Sequence, residues 1–150
     1  MHFFKKVTIA IELGTNLHHI LEPLKRLGFL NQCEIHLVSV SPIISYSTCL
    51  SGIPLVYPIA TDRKEIEHSI LAKLDQLSRE VLPQHKEGRV LCRCLFDENP
   101  KKAFSDYANE QRSDLVILFA REKVGFFDTS FSHYVSSHTS SNILILKHKE

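Results

Sequence analysis

Glycine is scarce in this chain and badly placed for one common task. Its five copies, Gly14, Gly28, Gly52, Gly88 and Gly125, are scattered, and no glycine-rich loop follows an apolar run. The four cysteines, Cys33, Cys49, Cys92 and Cys94, are too few and too irregularly spaced for the framework of a disulfide-dense secreted domain, so they read as reduced thiols. No segment approaches the roughly 18 consecutive apolar residues that a membrane-spanning helix needs. The start, Met1-His2-Phe3-Phe4-Lys5-Lys6, has too short an apolar stretch before its charges for a secretory leader. Those absences predict a soluble, cytoplasmic protein with no membrane partner. An excess of one charge is missing too. The 18 basic and 17 acidic residues leave a net charge of +1, too little for the footprint that phosphate-backbone binding requires, so nucleic acid is not an expected partner. There is no G-x-S-x-G turn to expose a serine nucleophile, and no internal repeat.

What is present is one domain's worth of alternating patterns, 150 residues around a single expected core. Lys6–Glu12 is β-rich, and Leu13-Gly14-Thr15-Asn16 supplies a turn and an N-cap. Leu17, Ile20, Leu21, Leu24 and Leu27 recur at helical spacing, interrupted by Pro23, and Gly28 sits where a left-handed helix terminus would fall. Cys33–Val40 is a second strand. Ile66, Ile70, Leu74, Leu77 and Val81 mark one face of the longest helix, with capping groups at Thr61–Glu65 and a stop at Pro83. Arg89–Phe96 alternates as a third strand, with Cys92 and Cys94 on one face. Asn99-Pro100 is an N-cap followed by proline at the first helical position, leading into Ala103, Phe104, Tyr107 and Ala108. Leu115–Phe119 is a near-continuous apolar strand. Phe127, Phe131, Tyr134, Val135 and His138 fit a fourth helix, and Asn142–Leu146 a fifth strand.

Strands alternating with helices, two of them apolar on both faces, predict an α/β fold: a three-layer, doubly wound, open, parallel five-stranded sheet with helices on both faces. An irregular apolar stretch, about 41–60, holds Pro42, Gly52, Pro54 and Pro58. Its apolar content suits either a lid over the crevice where the strand order reverses or packing at a subunit interface.

Other chemistries have thinner support. His18, His19, His36, His133 and His138 lack the spacing of a metal site, because His133 and His138 lie five apart and His18 and His19 point apart; they read as surface histidines, with no metal expected. Cys92 and Cys94 read as small buried hydrophobes. The hydroxyl-rich segment 129–141 reads as solvated helix and loop, with phosphorylation as the sharper alternative.

The order of Val7-Thr8-Ile9-Ala10-Ile11-Glu12, Glu34-Ile35-His36-Leu37-Val38-Ser39-Val40, Asp97-Glu98-Asn99-Pro100-Lys101-Lys102-Ala103 and Asp114-Leu115-Val116-Ile117-Leu118 resembles the universal stress protein family over nearly the whole chain. The resemblance implies strand order 3-2-1-4-5, a cytoplasmic stress-response role and a homodimer paired through the last strand, Ile143, Leu144, Ile145 and Leu146. Nucleotide-binding members end the opening strand with aspartate and carry G-x-x-G, nine residues, then G-[ST] after the fourth strand. Here Glu12 takes the aspartate position, and Phe119 and Glu122 fall where the first two glycines belong. An ungapped count puts Ser132 and His133 at the final pair; a helix shortened by one turn puts Thr129 and Ser130 there.

Glycines in such a loop let backbone amides approach phosphate. A phenyl ring blocks that approach and a carboxylate repels a triphosphate, each at several kcal/mol by order of magnitude in a desolvated site. Arg121 and Lys123 offer side-chain cations instead. The expected candidate site is thus a degenerate nucleotide site of Glu12, Val40, Phe119, Arg121, Glu122, Lys123, Thr129 and Ser130, with no catalytic residue and no obligatory cofactor. The expected function is a non-enzymatic homodimer acting in stress response through a partner or small ligand. The alternative is an ATP- or AMP-binding sensor or slow ATPase.

Overall fold

In the computed structural model, residues 4–12, 18–42, 59–82, 89–121 and 129–148 are described. The elements run β1 (Lys6–Ile11), α1 (His18–Lys25), β2 (Glu34–Pro42), α2 (Ile59–Val81), β3 (Val90–Asp97), α3 (Pro100–Glu110), β4 (Leu115–Arg121), α4 (Thr129–His138) and β5 (Asn142–His148). All five strands are parallel, in the order β3-β2-β1-β4-β5, as expected. Period-two alternation in β1, β2 and β4 feeds two separate cores. Val7, Ile9, Ile11, Ile35, Leu37, Leu115 and Ile117 join residues of α1 and α2 on one face. Ala10, Val38, Val40, Val116 and Leu118 meet Phe104 and Tyr107 of α3 and Phe131 and Val135 of α4 on the other. Strands apolar on both faces belong between two helical layers, which is why β4 reads as a near-continuous apolar run from Leu115 to Phe119.

Local chemistry explains the helix ends. Asn99 Oδ1 accepts from the backbone N–H of Lys102 and Pro100 occupies the first turn of α3, as its sequence predicts. The other end of α3 has no glycine: Arg112 takes the left-handed conformation (φ 53°), Ser113 N–H donates to Ala108 O and Arg112 N–H donates to Asn109 O. That pair of bonds is a Schellman closure built on arginine.

Several expectations need correction. Gly28 does not end α1 in a left-handed conformation; α1 stops at Lys25 with Arg26 N–H and Leu27 N–H bonded three residues back, and Gly28 opens a short 3-10 helix, Gly28–Gln32. Pro23 lies inside α1, where it removes one backbone donor and its ring crowds the preceding turn. α2 begins at Ile59, so the groups from Thr61 onward lie inside the helix rather than capping it. On its apolar face Leu74, Leu77 and Val81 are buried, whereas Ile66 is 46% exposed. β2 runs on to Pro42, so of the irregular stretch only 43–58 remains, and it lies outside the described residues, as do Cys49 and the turn at 13–17.

Candidate functional site

β1 is flanked on both sides, and its two neighbours part company with it at different heights. It pairs with β2 up to Ile11↔Ser39, but its register with β4 runs from Val7↔Leu115 to Ile9↔Ile117. β4 continues to Arg121 in register with β5. Beyond Ile9 and Ile117 each strand therefore follows its other partner. The order reverses between them, the place where open parallel sheets form a crevice at their carboxyl ends.

The sequence-predicted residues distribute around this point. Glu12 follows the last residue of β1 and is half-buried. Val40, one residue past the partner of Ile11, is buried on the α3/α4 face. Phe119, half-buried, packs instead on the α1/α2 core, alongside Leu144 and Leu146 of β5. Val40 and Phe119 thus stand on opposite faces of the sheet. Arg121 closes β4 and Thr129 opens α4 by their backbones, and Glu122, Lys123 and Phe127 lie outside the described residues.

Ser130, in the first turn of α4, is exposed and accepts a hydrogen bond from Lys101 Nζ at 2.7 Å. Lys101 sits in the first turn of α3, so one cation links the N-terminal ends of two neighbouring helices on the same face of the sheet. Sequence reading placed the start of α3 correctly and did not single out Lys101, because its partner is 29 residues away. Ser132, the alternative from the ungapped count, is buried, and its hydroxyl has no hydrogen-bond partner among the described residues.

The reading of the histidines as surface groups fails at one position. His36 is 2% exposed, with Nδ1 at 2.6 Å from Tyr107 Oη and Nε2 at 3.4 Å from Glu34 Oε1. Burial holds its pKa below the ordinary histidine value, against the pull of Glu34 and with help from Lys6 and Arg93. A signal existed in the alternation of β2, which turns His36 towards the same covered face as Val38 and Val40. His138 is different: exposed, stacked on Tyr134 at 3.8 Å, and donating from Nδ1 to Tyr134 O. Among the described residues no three His, Cys, Asp or Glu side chains converge as a metal site would require.

Among the described residues Cys33, Cys92 and Cys94 form no disulfide. Burial pushes up the pKa of both Cys33 and Cys92, and the Cys33 thiol donates to the carbonyls of Phe4 and Phe29. Groups held in the thiol form are poor nucleophiles. Among the described residues no helix is long and apolar enough to cross a membrane.

No protein-family profile matches the sequence, and no curated protein matches it. The fold, however, is shared with solved structures along the whole chain. A universal stress protein from Lactobacillus plantarum superposes with a TM-score of 0.67 at 14% identity, covering 95% of this chain and 97% of that one. A universal stress protein solved in complex with cAMP gives 0.63 at 12% identity, covering 97% and 99%. One from Archaeoglobus fulgidus in complex with dAMP gives 0.57 at 12% identity, covering 95% and 98%. The likeness establishes the universal stress protein fold.

Proposed function

We propose that this chain is a cytoplasmic universal stress protein that acts without catalysis, as a homodimer, through contacts with a partner or small ligand. The observation supporting this reading is the shared fold together with Phe119, which the sequence resemblance sets at a glycine position of the phosphate loop and which packs against the α1/α2 core. Such a residue cannot give phosphate the close backbone approach that glycine gives. The dimer follows from the sheet edge. β5 is an outer strand on which Ile145 is 40% exposed and Ile143, Leu144 and Leu146 are half-buried, an apolar edge of the kind natural proteins cover.

Calorimetric titration with ATP, AMP and cAMP tests the first part, with no heat of binding at micromolar protein expected. Light scattering after size exclusion tests the second: a dimer for the native chain and a monomer for Ile145→Asp. Micromolar ATP binding that weakens in Glu12→Ala would overturn the first, and a native monomer the second.

One observation favours a nucleotide-binding sensor as the second reading. Lys101 stands at the opening of α4, where a side-chain cation would hold a monophosphate without glycines, and two proteins of this fold carry cAMP and dAMP. On that reading AMP or cAMP binds more tightly than ATP, and Lys101→Ala weakens it.

A further inference from the structure

A polar chain crosses the α3/α4 face of the sheet at the opposite end from the candidate site. Arg93 of β3 bears on the Tyr107 oxygen, Tyr107 of α3 meets His36 Nδ1 of β2 at 2.6 Å, and His36 Nε2 faces Glu34 Oε1 at 3.4 Å. The chemistry of the ends fixes every proton between them. A carboxylate only accepts, so Nε2 carries the ring hydrogen; a guanidinium only donates, so the Tyr107 hydroxyl must give its own hydrogen to Nδ1. The neutral imidazole is the one form that satisfies all four groups.

A proton added at Nδ1 reverses the central link. Nδ1 becomes a donor to an oxygen that Arg93 already approaches, and the hydroxyl hydrogen of Tyr107, a residue 9% exposed, loses its acceptor. The groups facing the ring are Glu34 from its own strand, Lys6 from β1, Arg93 from β3 and Tyr107 from α3. Two of the three charges are positive, and the one carboxylate is the far, half-exposed contact. Charging the ring is therefore opposed by desolvation and by both cations.

We propose that the His36–Tyr107 pair is a proton-operated latch that holds α3 on the sheet and releases it when the surroundings turn mildly acidic. α3 is the right element for such a device, since Lys101 reaches Ser130 and the Asn109 carboxamide accepts from Ser140 N–H and donates to His138 O. Loosening α3 thus transmits to both ends of α4, including the rim of the candidate site. The inference stands whether or not nucleotide binds.

Hydrogen–deuterium exchange of the full chain, at about pH 7.5 and 5.5 with times scaled for the chemical exchange rate, reads the latch. Protection of α3 falls about tenfold at the lower pH while β1 and β4 keep theirs. In His36→Asn, which keeps an acceptor and cannot titrate, the fall disappears. Tyr107→Phe, which keeps the ring in the core, reduces it, and serves if the first variant does not fold. Unchanged protection of α3 in the native chain, equal losses across the whole sheet, or a full native-sized loss in either variant would overturn the proposal.

Discussion

Asp114 holds Lys6 by both of its backbone polar groups: Lys6 N–H donates to Asp114 Oδ2 at 2.9 Å, and Asp114 N–H donates to Lys6 O at 2.9 Å. Lys5 N–H donates to the same carboxylate oxygen at 3.0 Å, and Asn142 N–H donates to Asp114 O. One residue therefore aligns the starts of β1, β4 and β5. The register it sets decides which side chains stand opposite each other at the far end of the sheet.

Replacing Asp114 by alanine removes two charge-assisted acceptor contacts at an exposed position, and should lower stability by about 1–2 kcal/mol. Asp114→Asn keeps one acceptor oxygen and should lose less. Urea denaturation ranks the three proteins; equal midpoints would show that the carboxylate does not set the register.

Arg112 is a side chain in a conformation suited to glycine. Arg112→Gly keeps both closing bonds of α3 and relieves the clash of Cβ with its own backbone, so a gain of about 0.5–1 kcal/mol is expected, partly offset by the greater freedom of glycine when unfolded. A rise in melting temperature checks this. A fall would mean that the guanidinium contributes more than the conformation costs.

These two residues also show what the sequence could disclose. The start of α3 was legible because Asn99 and Pro100 act on atoms three residues away. Its end was not, because arginine carries no terminating preference and only the backbone reveals the left-handed turn. The parallel, doubly covered sheet emerged from periodicity, and its strand order from the family resemblance alone. The contact at the rim of the candidate site, Lys101 with Ser130, and the one at the other end of the same sheet face, His36 with Tyr107, join residues 29 and 71 positions apart. No local pattern encodes such pairs. Gly28 misled because glycine after an apolar helical stripe usually ends a helix, and here α1 had already stopped at Lys25.

Ser132 places a hydroxyl in the α4 side of the core without a partner among the described residues. Ser132→Ala removes that unsatisfied group and improves helix propensity, and should stabilise the protein by about 1 kcal/mol. Chemical denaturation measures it. Destabilisation would indicate that the hydroxyl is satisfied in solution by a bound water or ligand.

Placing glycines where the family resemblance expects them has a structural cost that the sequence alone hides. Phe119 packs against the core that Leu144 and Leu146 also cover, so Phe119→Gly should cost about 3 kcal/mol. Adding Glu122→Gly removes a carboxylate and should not deepen that loss appreciably. If the double variant gained ATP binding while keeping its fold, the ring and the acid would be identified as the barrier to phosphate. A double variant as stable as the parent would show that the ring is dispensable to the core.

The buried imidazole makes stability depend on pH in a definite direction. Burial holds the folded-state pKa of His36 below its unfolded value, so the unfolded chain takes up this proton first as pH falls. Stability from this group is complete above the ordinary histidine value of about 6.5 and declines from there down to the lower folded-state pKa. The melting temperature should therefore drop between about pH 7.5 and 5.5, above the range where ordinary carboxylates titrate. Other histidines titrate in the same window, so the deciding quantity is the difference between the native chain and His36→Asn, which should be largest at pH 7.5 and shrink towards acid. A difference that stayed constant across that range would mean that His36 keeps the same protonation behaviour folded and unfolded.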